Sequence, residues 1–254
     1  MSEVRELVRS GRRGFRRSRA RILRKLGLLK GDWQNDLQAE LQFWDWALKN
    51  QGQNWDQGEW RNCTNPNLEL QAELKALIPS EHGSSIRILD VGSGPLTRVG
   101  KVWAGRTVEI VPTDPLADQY NALLAKHQIR PLVASVFAHG EKLSEKFAAN
   151  SFDLAYASNS LDHTYDPLLV IEQMLAVVKP ARYVYLWHVA NEGARECYIG
   201  LHQWNFDIVK SDLVVGDGRK VQSVTDFFKG RAEITCEFQR AFDTDIVVAT
   251  LRKS

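Results

Sequence analysis

The residues best placed to do chemistry lie in Ile86-Arg87-Ile88-Leu89-Asp90-Val91-Gly92-Ser93-Gly94-Pro95-Leu96-Thr97. The apolar run Ile88, Leu89 and Val91 leads into Gly92, Ser93 and Gly94. The two glycines lack the Cβ atoms that would stop the chain from turning sharply and from bringing its backbone close to a ligand. A nucleotide suits such a turn. About twenty residues on, a second strand-like run ends in Asp114, at the spacing where a carboxylate can accept both hydroxyls of a ribose. The plainer alternative for Asp114 is a solvated acid opening a turn before Pro115.

Two cofactor types fit a strand, a glycine turn and an acid: a nicotinamide dinucleotide and S-adenosylmethionine. A pyrophosphate wants a third glycine and a helix N-terminus beneath it. Here the turn continues as Pro95-Leu96, and Asp90 would repel a diphosphate while suiting a cofactor with a cationic amino end. At these residues the chain resembles the class I S-adenosylmethionine-dependent methyltransferases of the type 11 group, whose first motif looks like Leu89 to Gly94. The resemblance runs from about Ser85 to Pro180. Ser151 to Ala157 looks like that group's fourth strand, Ser158 to His163 like the loop beside the methyl donor, and Val177 to Pro180 like the turn before the fifth strand. It implies a cofactor site of Asp90, Gly92, Ser93, Gly94, Asp114, Gly140, Glu141, Ser158 and Asn159. Two positions depart from the pattern: Leu96 replaces a common third glycine, and His139-Gly140-Glu141 stands where many members carry an Asp near the adenine amine.

Methyl transfer from a sulfonium needs alignment in a dry pocket, and a hydroxyl acceptor must also lose its proton. His163 is the first candidate base, because an unperturbed imidazole titrates near ~6.5, with Asp162 or Asp166 to orient it. The plainer reading makes His163 a cap for the helix that follows. His188 ends the expected fifth strand and Asn191 and Glu192 follow it, on the carboxyl edge where open α/β sheets bind ligands. His202, Trp204 and Asn205 interleave hydrogen-bonding groups with aromatic rings, a mixture suited to a glycan, a glycolipid or another polar small molecule. O-methylation of a hydroxyl is therefore the expected reaction. The alternatives are N-methylation of a small molecule and a non-catalytic nucleotide-binding module. Asp162, His163 and Asp166 match no strong ligand spacing, so no metal is expected.

A doubly wound α/β fold would position these groups. The pattern predicts strands over 86–91, 107–112, 131–136, 152–157 and 182–188. Helices are predicted near 95–104, 116–127, 141–148 and 167–178, an alternation that implies a mostly parallel sheet with helices on both faces. Residues 232–239 and 245–252 are joined by a turn too short for a parallel crossover and must form an antiparallel hairpin, completing a seven-stranded sheet. Before the first strand, Asp36 to Lys49 reads as a helix with Leu37, Leu41, Trp44 and Leu48 on one face. Leu68 to Ile78 reads as another. Five of the eight tryptophans (Trp33, Trp44, Trp46, Trp55 and Trp60) fall in this region. Core packing is the first reading of them, and a lid with Trp55, Trp60 and Arg61 at the cleft entrance is the second.

The expected organisation is a basic segment 1–30, a helical, Trp-rich N-terminal extension 31–84, and a Rossmann-like methyltransferase domain 85–254. The chain has 254 residues, 44% hydrophobic and 25% charged, which is ordinary for a globular enzyme. Its net charge of +2 hides an asymmetry: residues 1–30 hold eleven Lys and Arg against two acids, whereas the rest is net acidic. Val4, Val8, Phe15, Ile22, Leu26 and Leu29 recur at helical spacing among the arginines, so an amphipathic basic helix on an anionic membrane surface or an acidic partner is expected, with a solvated or disordered tail as the alternative. Nucleic acid is disfavoured by the acidic body. With no apolar run of membrane-spanning length and no secretory pattern, the expected location is cytoplasmic, peripheral at the inner membrane face. Cys63, Cys197 and Cys236 suggest neither a disulfide framework nor a zinc knuckle.

Overall fold

The computed structural model describes residues 33–53, 57–79, 83–241 and 243–254, so the expected basic helix at 1–30 and Trp55 lie outside the described residues. The central sheet contains β1 (Ser85–Val91), β2 (Thr107–Asp114), β3 (Val136–Phe137), β4 (Phe152–Ser158), β5 (Val178–Val189), β9 (Ala232–Ala241) and β10 (Thr244–Lys253). Its order is β3-β2-β1-β4-β5-β10-β9, with β1 to β5 mutually parallel and β10 antiparallel to both neighbours. This is the predicted seven-stranded sheet, with the C-terminal hairpin inserted as expected. Ile88 pairs with Ile110 on one side and Leu154 on the other. Ile86, Ile88 and Leu89 are fully buried, as a strand covered on both faces requires.

One face is covered by α6 (Pro167–Val177), whose Leu168, Val170, Ile171 and Met174 enter the larger core. Its start is set by Asp166, whose Oδ1 accepts from the amides of Leu168 and Leu169, with Pro167 in the first turn. Asp166, not His163, is the cap. The opposite face is covered by α3 (Ala72–Ala76) through Leu74, together with Leu70, Ile78 and Val99. The longer helix expected over Leu68–Ile78 is confined to those five residues. Ahead of it lie α1 (Trp33–Lys49) and α2 (Gln57–Thr64), and α4 (Ala117–Lys126) follows β2. Among the described residues, no helix is long and apolar enough to cross a membrane.

The expected helix near 95–104 is absent. Backbone groups that a helix would pair internally are taken by residues 68–71: Leu70 N donates to Val102 O at 2.8 Å and Lys101 N to Leu68 O at 2.7 Å. The Gln71 side chain donates to Arg98 O and accepts from Gly100 N. Gly100 is indispensable to this approach, since a Cβ there would sit 2.1 Å from the Glu69 carbonyl oxygen. A strand over 131–136 is also missing, with pairing limited to Thr113–Val136 and Asp114–Phe137. The short α5 (Leu143–Lys146) stands where the helix near 141–148 was expected. After α7 (Glu192–Arg195) comes an unforeseen three-stranded antiparallel sheet of β6 (Asn205–Val209), β7 (Asp212–Gly216) and β8 (Val221–Ser223), followed by α8 (Val224–Phe227). Its strands are short, and its buried Phe206, Leu213 and Val215 extend the larger core.

Candidate active site

Strand order switches direction between β1 and β4, and at their carboxyl ends opens a cleft of about 710 Å³. Its floor is the glycine turn. Gly92 and Gly94 have φ of +69° and +62°, the left-handed region that other residues avoid. At Gly92 a Cβ would lie 2.5 Å from Ser160 Cβ, so the turn also lets the loop after β4 close against it. The amides of Gly92 and Ser93 both donate to Thr113 O, which fixes the turn beside β2.

Asp114 lines the cleft at the end of β2 and is 7% exposed. Its Oδ2 accepts from Gly94 N at 3.0 Å and its Oδ1 from Leu116 N at 2.8 Å, so the predicted acid is tied to the predicted turn. Burial pushes its pKa up to about 6, against the pull of those two amides. Asp90 lies behind the wall: it is 3% exposed, does not line the cleft, and accepts from Thr97 Oγ1 at 2.6 Å. Burial lifts it too to about 6, opposed by the Thr97 bond and by Arg98 and Lys101. Ser93, Gly140, Glu141, Ser158 and Asn159 all line the cleft. Glu141 Oε1 accepts from Tyr165 N, Ser158 Oγ from Arg98 Nη1, and Asn159 Oδ1 from Val189 N.

The N-terminal extension supplies the facing wall. Leu37, Trp44 and Leu48 of α1, with Trp60 and Glu59 of α2, line the cleft, whereas Arg61 does not. The Trp44 ring lies 3.3 Å from where a Gly94 Cβ would be and meets Tyr120 edge-on. Lys126 and His127, at the end of α4, hold α1 through Asp45 at 2.8 and 2.7 Å. Arg98 joins α2 to the floor: Nε donates to Glu59 at 2.6 Å, Nη1 donates to Ser158, and the guanidinium lies over Trp187. Arg98 was not anticipated. Its only sequence signal is a basic residue four places after Gly94, and its partners are 39 and 60 residues away.

At the other end of the cleft, the loop after β4 brings His163 to the wall, and His202 arrives from the segment before β6. His163 Nε2 lies 3.0 Å from His202 Nδ1, which lies 2.7 Å from Oδ2 of the buried Asp162. Burial would raise the Asp162 pKa, but His163 and His202 hold it below the usual carboxylate range. Burial opposes the charged form of His202, yet its bond to Asp162 raises its pKa overall. Glu192 lines the same stretch of wall, with its pKa raised by burial.

Besides Asp90 and Asp162, four predicted residues lie outside the cleft lining. His188 is 1% exposed and stacks on Phe206 at 4.3 Å, with neither ring nitrogen hydrogen-bonded, and burial lowers its pKa to about 4. β6 covers it, which is why a residue at the expected strand end is sealed from the site. Asn191 donates to Asp207, Trp204 Nε1 to Thr164 O, and Asn205 joins Ala194 N to the Tyr198 hydroxyl. These three side chains brace the small sheet and the neighbouring loops.

Residues 89–186 match the family model described as a methyltransferase domain. That stretch carries a methyltransferase domain of the S-adenosylmethionine-dependent kind. Among curated proteins, no sequence matches the chain. Solved structures resembling this methyltransferase domain are distant. The CurJ carbon methyltransferase is 14% identical with a TM-score of 0.48, the match covering 70% of this chain and 50% of that one. A phosphoethanolamine N-methyltransferase from Haemonchus contortus, solved with S-adenosylhomocysteine, is 13% identical with a TM-score of 0.49, covering 71% and 51%. An S-adenosylmethionine-dependent methyltransferase from Methanosarcina mazei is 14% identical with a TM-score of 0.44, covering 73% and 99%. This chain thus spans about half the length of the first and second of these proteins.

Proposed function

We propose that this protein transfers a methyl group from S-adenosylmethionine to a hydroxyl of a small polar acceptor, a glycan or glycolipid being the class that suits the lining. When bound, the cofactor supplies an electrophilic methyl on a cationic sulfur. The turn at Gly92, Ser93 and Gly94 gives its backbone to the nucleoside, and Asp114, still holding free lone pairs beside Gly94 N, accepts from the ribose hydroxyls. Gly140 and Glu141 would hold the adenine, and Ser158 and Asn159 the methionine end. Asp90 acts from behind the turn, its charge favouring the cofactor's cations through the wall. Trp44 and Trp60 exclude water from the reacting centre.

One observation carries the O-methylation reading: His163 and His202 both reach the cleft, backed by the buried carboxylate of Asp162. With the methyl donor held there, His163 Nε2 would take the proton of the acceptor hydroxyl, and Asp162 would stabilise the resulting charge. Glu192 and His202 hydrogen-bond neighbouring hydroxyls of the acceptor. The basic segment 1–30 brings the enzyme to an anionic membrane, where a lipid-linked acceptor would be met.

Calorimetry with S-adenosylhomocysteine, followed by methyl transfer to a panel of sugar, lipid-linked and amine acceptors, tests this reading. Binding and turnover on a hydroxyl, with at least a hundredfold loss of kcat in His163→Ala, are expected. Absence of binding heat would remove the cofactor assignment. Turnover confined to amines would replace the O-methylation reading with N-methylation.

A further inference from the structure

We infer that Asp162, His163 and His202 form a binding site for one divalent transition-metal ion at the acceptor end of the cleft. The three facing atoms are His163 Nε2, His202 Nδ1 and Asp162 Oδ2, separated by 3.0, 2.7 and 3.4 Å. An ion about 2.1 Å from each donor holds neighbouring donors about 3.0 Å apart in an octahedral set and about 3.4 Å apart in a tetrahedral one. The observed triangle has the size of one face of such a set. The imidazole rings stand at 72° with centroids 4.4 Å apart, which turns their nitrogens toward a common point instead of stacking the faces.

Hydrogen bonding alone serves this arrangement poorly. An imidazole nitrogen carries either a proton or a lone pair. If His202 Nδ1 carries the proton, one N–H is shared between the carboxylate and His163. If it carries the lone pair, that pair faces a carboxylate oxygen at 2.7 Å. Asp162 gives a second, independent indication. It is 1% exposed, its Oδ1 is buried without a hydrogen-bond partner, and among the described residues its ion-pair partners are the two histidines alone. A buried carboxylate with no permanently cationic neighbour has an unmet need for positive charge.

The chemistry of the set identifies the guest. Two imidazoles and one carboxylate favour zinc, iron, cobalt or manganese over magnesium or calcium, which prefer all-oxygen cages. Both histidines line the cleft while Asp162 is sealed behind them, so the open coordination positions point at the acceptor. Glu192 lies on the same wall and interacts electrostatically with His202 and Asp162. Gln203 N donates to the backbone O of Asp162 at 2.9 Å, which clamps the two loops that carry the set together. In sequence the cluster is invisible because His202 lies 39 residues beyond His163.

The ion's role, though not its binding, rests on the hydroxyl reading above. With the lone pair of His163 engaged, the ion takes over the task of acidifying the acceptor hydroxyl, whose proton leaves to Glu192 or to water.

The test uses the full chain without an affinity tag, stripped with a chelator and titrated with cobalt(II) while visible absorption and binding heat are followed. One ion per chain is expected, with affinity weakened at least about a hundredfold in His202→Ala and in Asp162→Asn, and unchanged in His127→Ala. Should the buried Asp162→Asn fail to fold by circular dichroism, the variant at the partly exposed His163, His163→Gln, replaces it. No saturable cobalt binding, or binding that survives His163→Gln and His202→Ala together, overturns the inference. The two readings fail separately: S-adenosylhomocysteine binding without metal leaves His163 as base, and metal binding without S-adenosylhomocysteine removes the methyl-transfer assignment alone.

Discussion

Replacing Asp90 by Asn should stabilise the protein, even though this residue belongs to the motif that announces the cofactor site. The carboxyl is 3% exposed, and burial raises its pKa from 3.8 to about 6. Each pH unit of displacement corresponds to 1.36 kcal/mol, so keeping Asp90 ionised at pH 7 costs about 3 kcal/mol. The sign follows from proton counting. Between pH 3.8 and about 6 the folded state holds more protons than the unfolded one, so stability falls as pH rises through that window and then levels off. Asn keeps an acceptor for Thr97 Oγ1 without the charge. Urea unfolding followed by tryptophan fluorescence should show Asp90→Asn more stable by about 1–3 kcal/mol at pH 7, the gain shrinking toward zero near pH 4. Affinity for S-adenosylmethionine should drop more than affinity for S-adenosylhomocysteine, whose sulfur is neutral. A variant no more stable at pH 7, or a gain independent of pH, would refute the assignment of the cost to a buried charge.

Other outcomes follow from the same geometry. Gly92→Ala should destabilise by more than 2 kcal/mol by urea titration, from the left-handed backbone and the 2.5 Å approach to Ser160 Cβ. Ser160→Gly should partly rescue it, whereas Ser160→Ala should not. Asp114→Asn should weaken S-adenosylhomocysteine binding about ten- to a hundredfold in calorimetry, through loss of a charged acceptor for the ribose. Glu59→Gln should release Arg98 and raise KM for the methyl donor, read from initial rates, with a smaller effect on unfolding. Deleting residues 1–30 should abolish cosedimentation with anionic vesicles and leave neutral vesicles unaffected.

Much of the parallel sheet could be read in the sequence because its signals are local. Strands buried on both faces need continuous apolar runs, and the glycine turn with Asp114 at the end of the next strand is a spacing fixed by one crossover. The helix expected after Gly94 failed for a nonlocal reason: Leu68 to Gln71 occupy its hydrogen-bonding groups from outside the window in which helical periodicity is judged. The small sheet was missed because strands of three to five residues give too few alternations to register. At the site, His163 and Asp162 could be found from their place after β4, whereas the pairing with His202 depends on how two loops meet. His188 shows the opposite failure, since its position was anticipated but the strand that buries it was not.

The contact of Leu68 to Gln71 with the loop at 98–102 bears on where this protein may be cut. In sequence the catalytic module starts at β1, yet the turn that would hold the methyl donor is propped from upstream by Gln71, Glu59 and Trp44. A fragment trimmed to residue 85 would keep every motif residue and lose the scaffold that shapes them. Such a truncation would leave the recognisable signature intact on a chain unable to grip its ligand, so grafting or minimising this enzyme has to begin no later than α1.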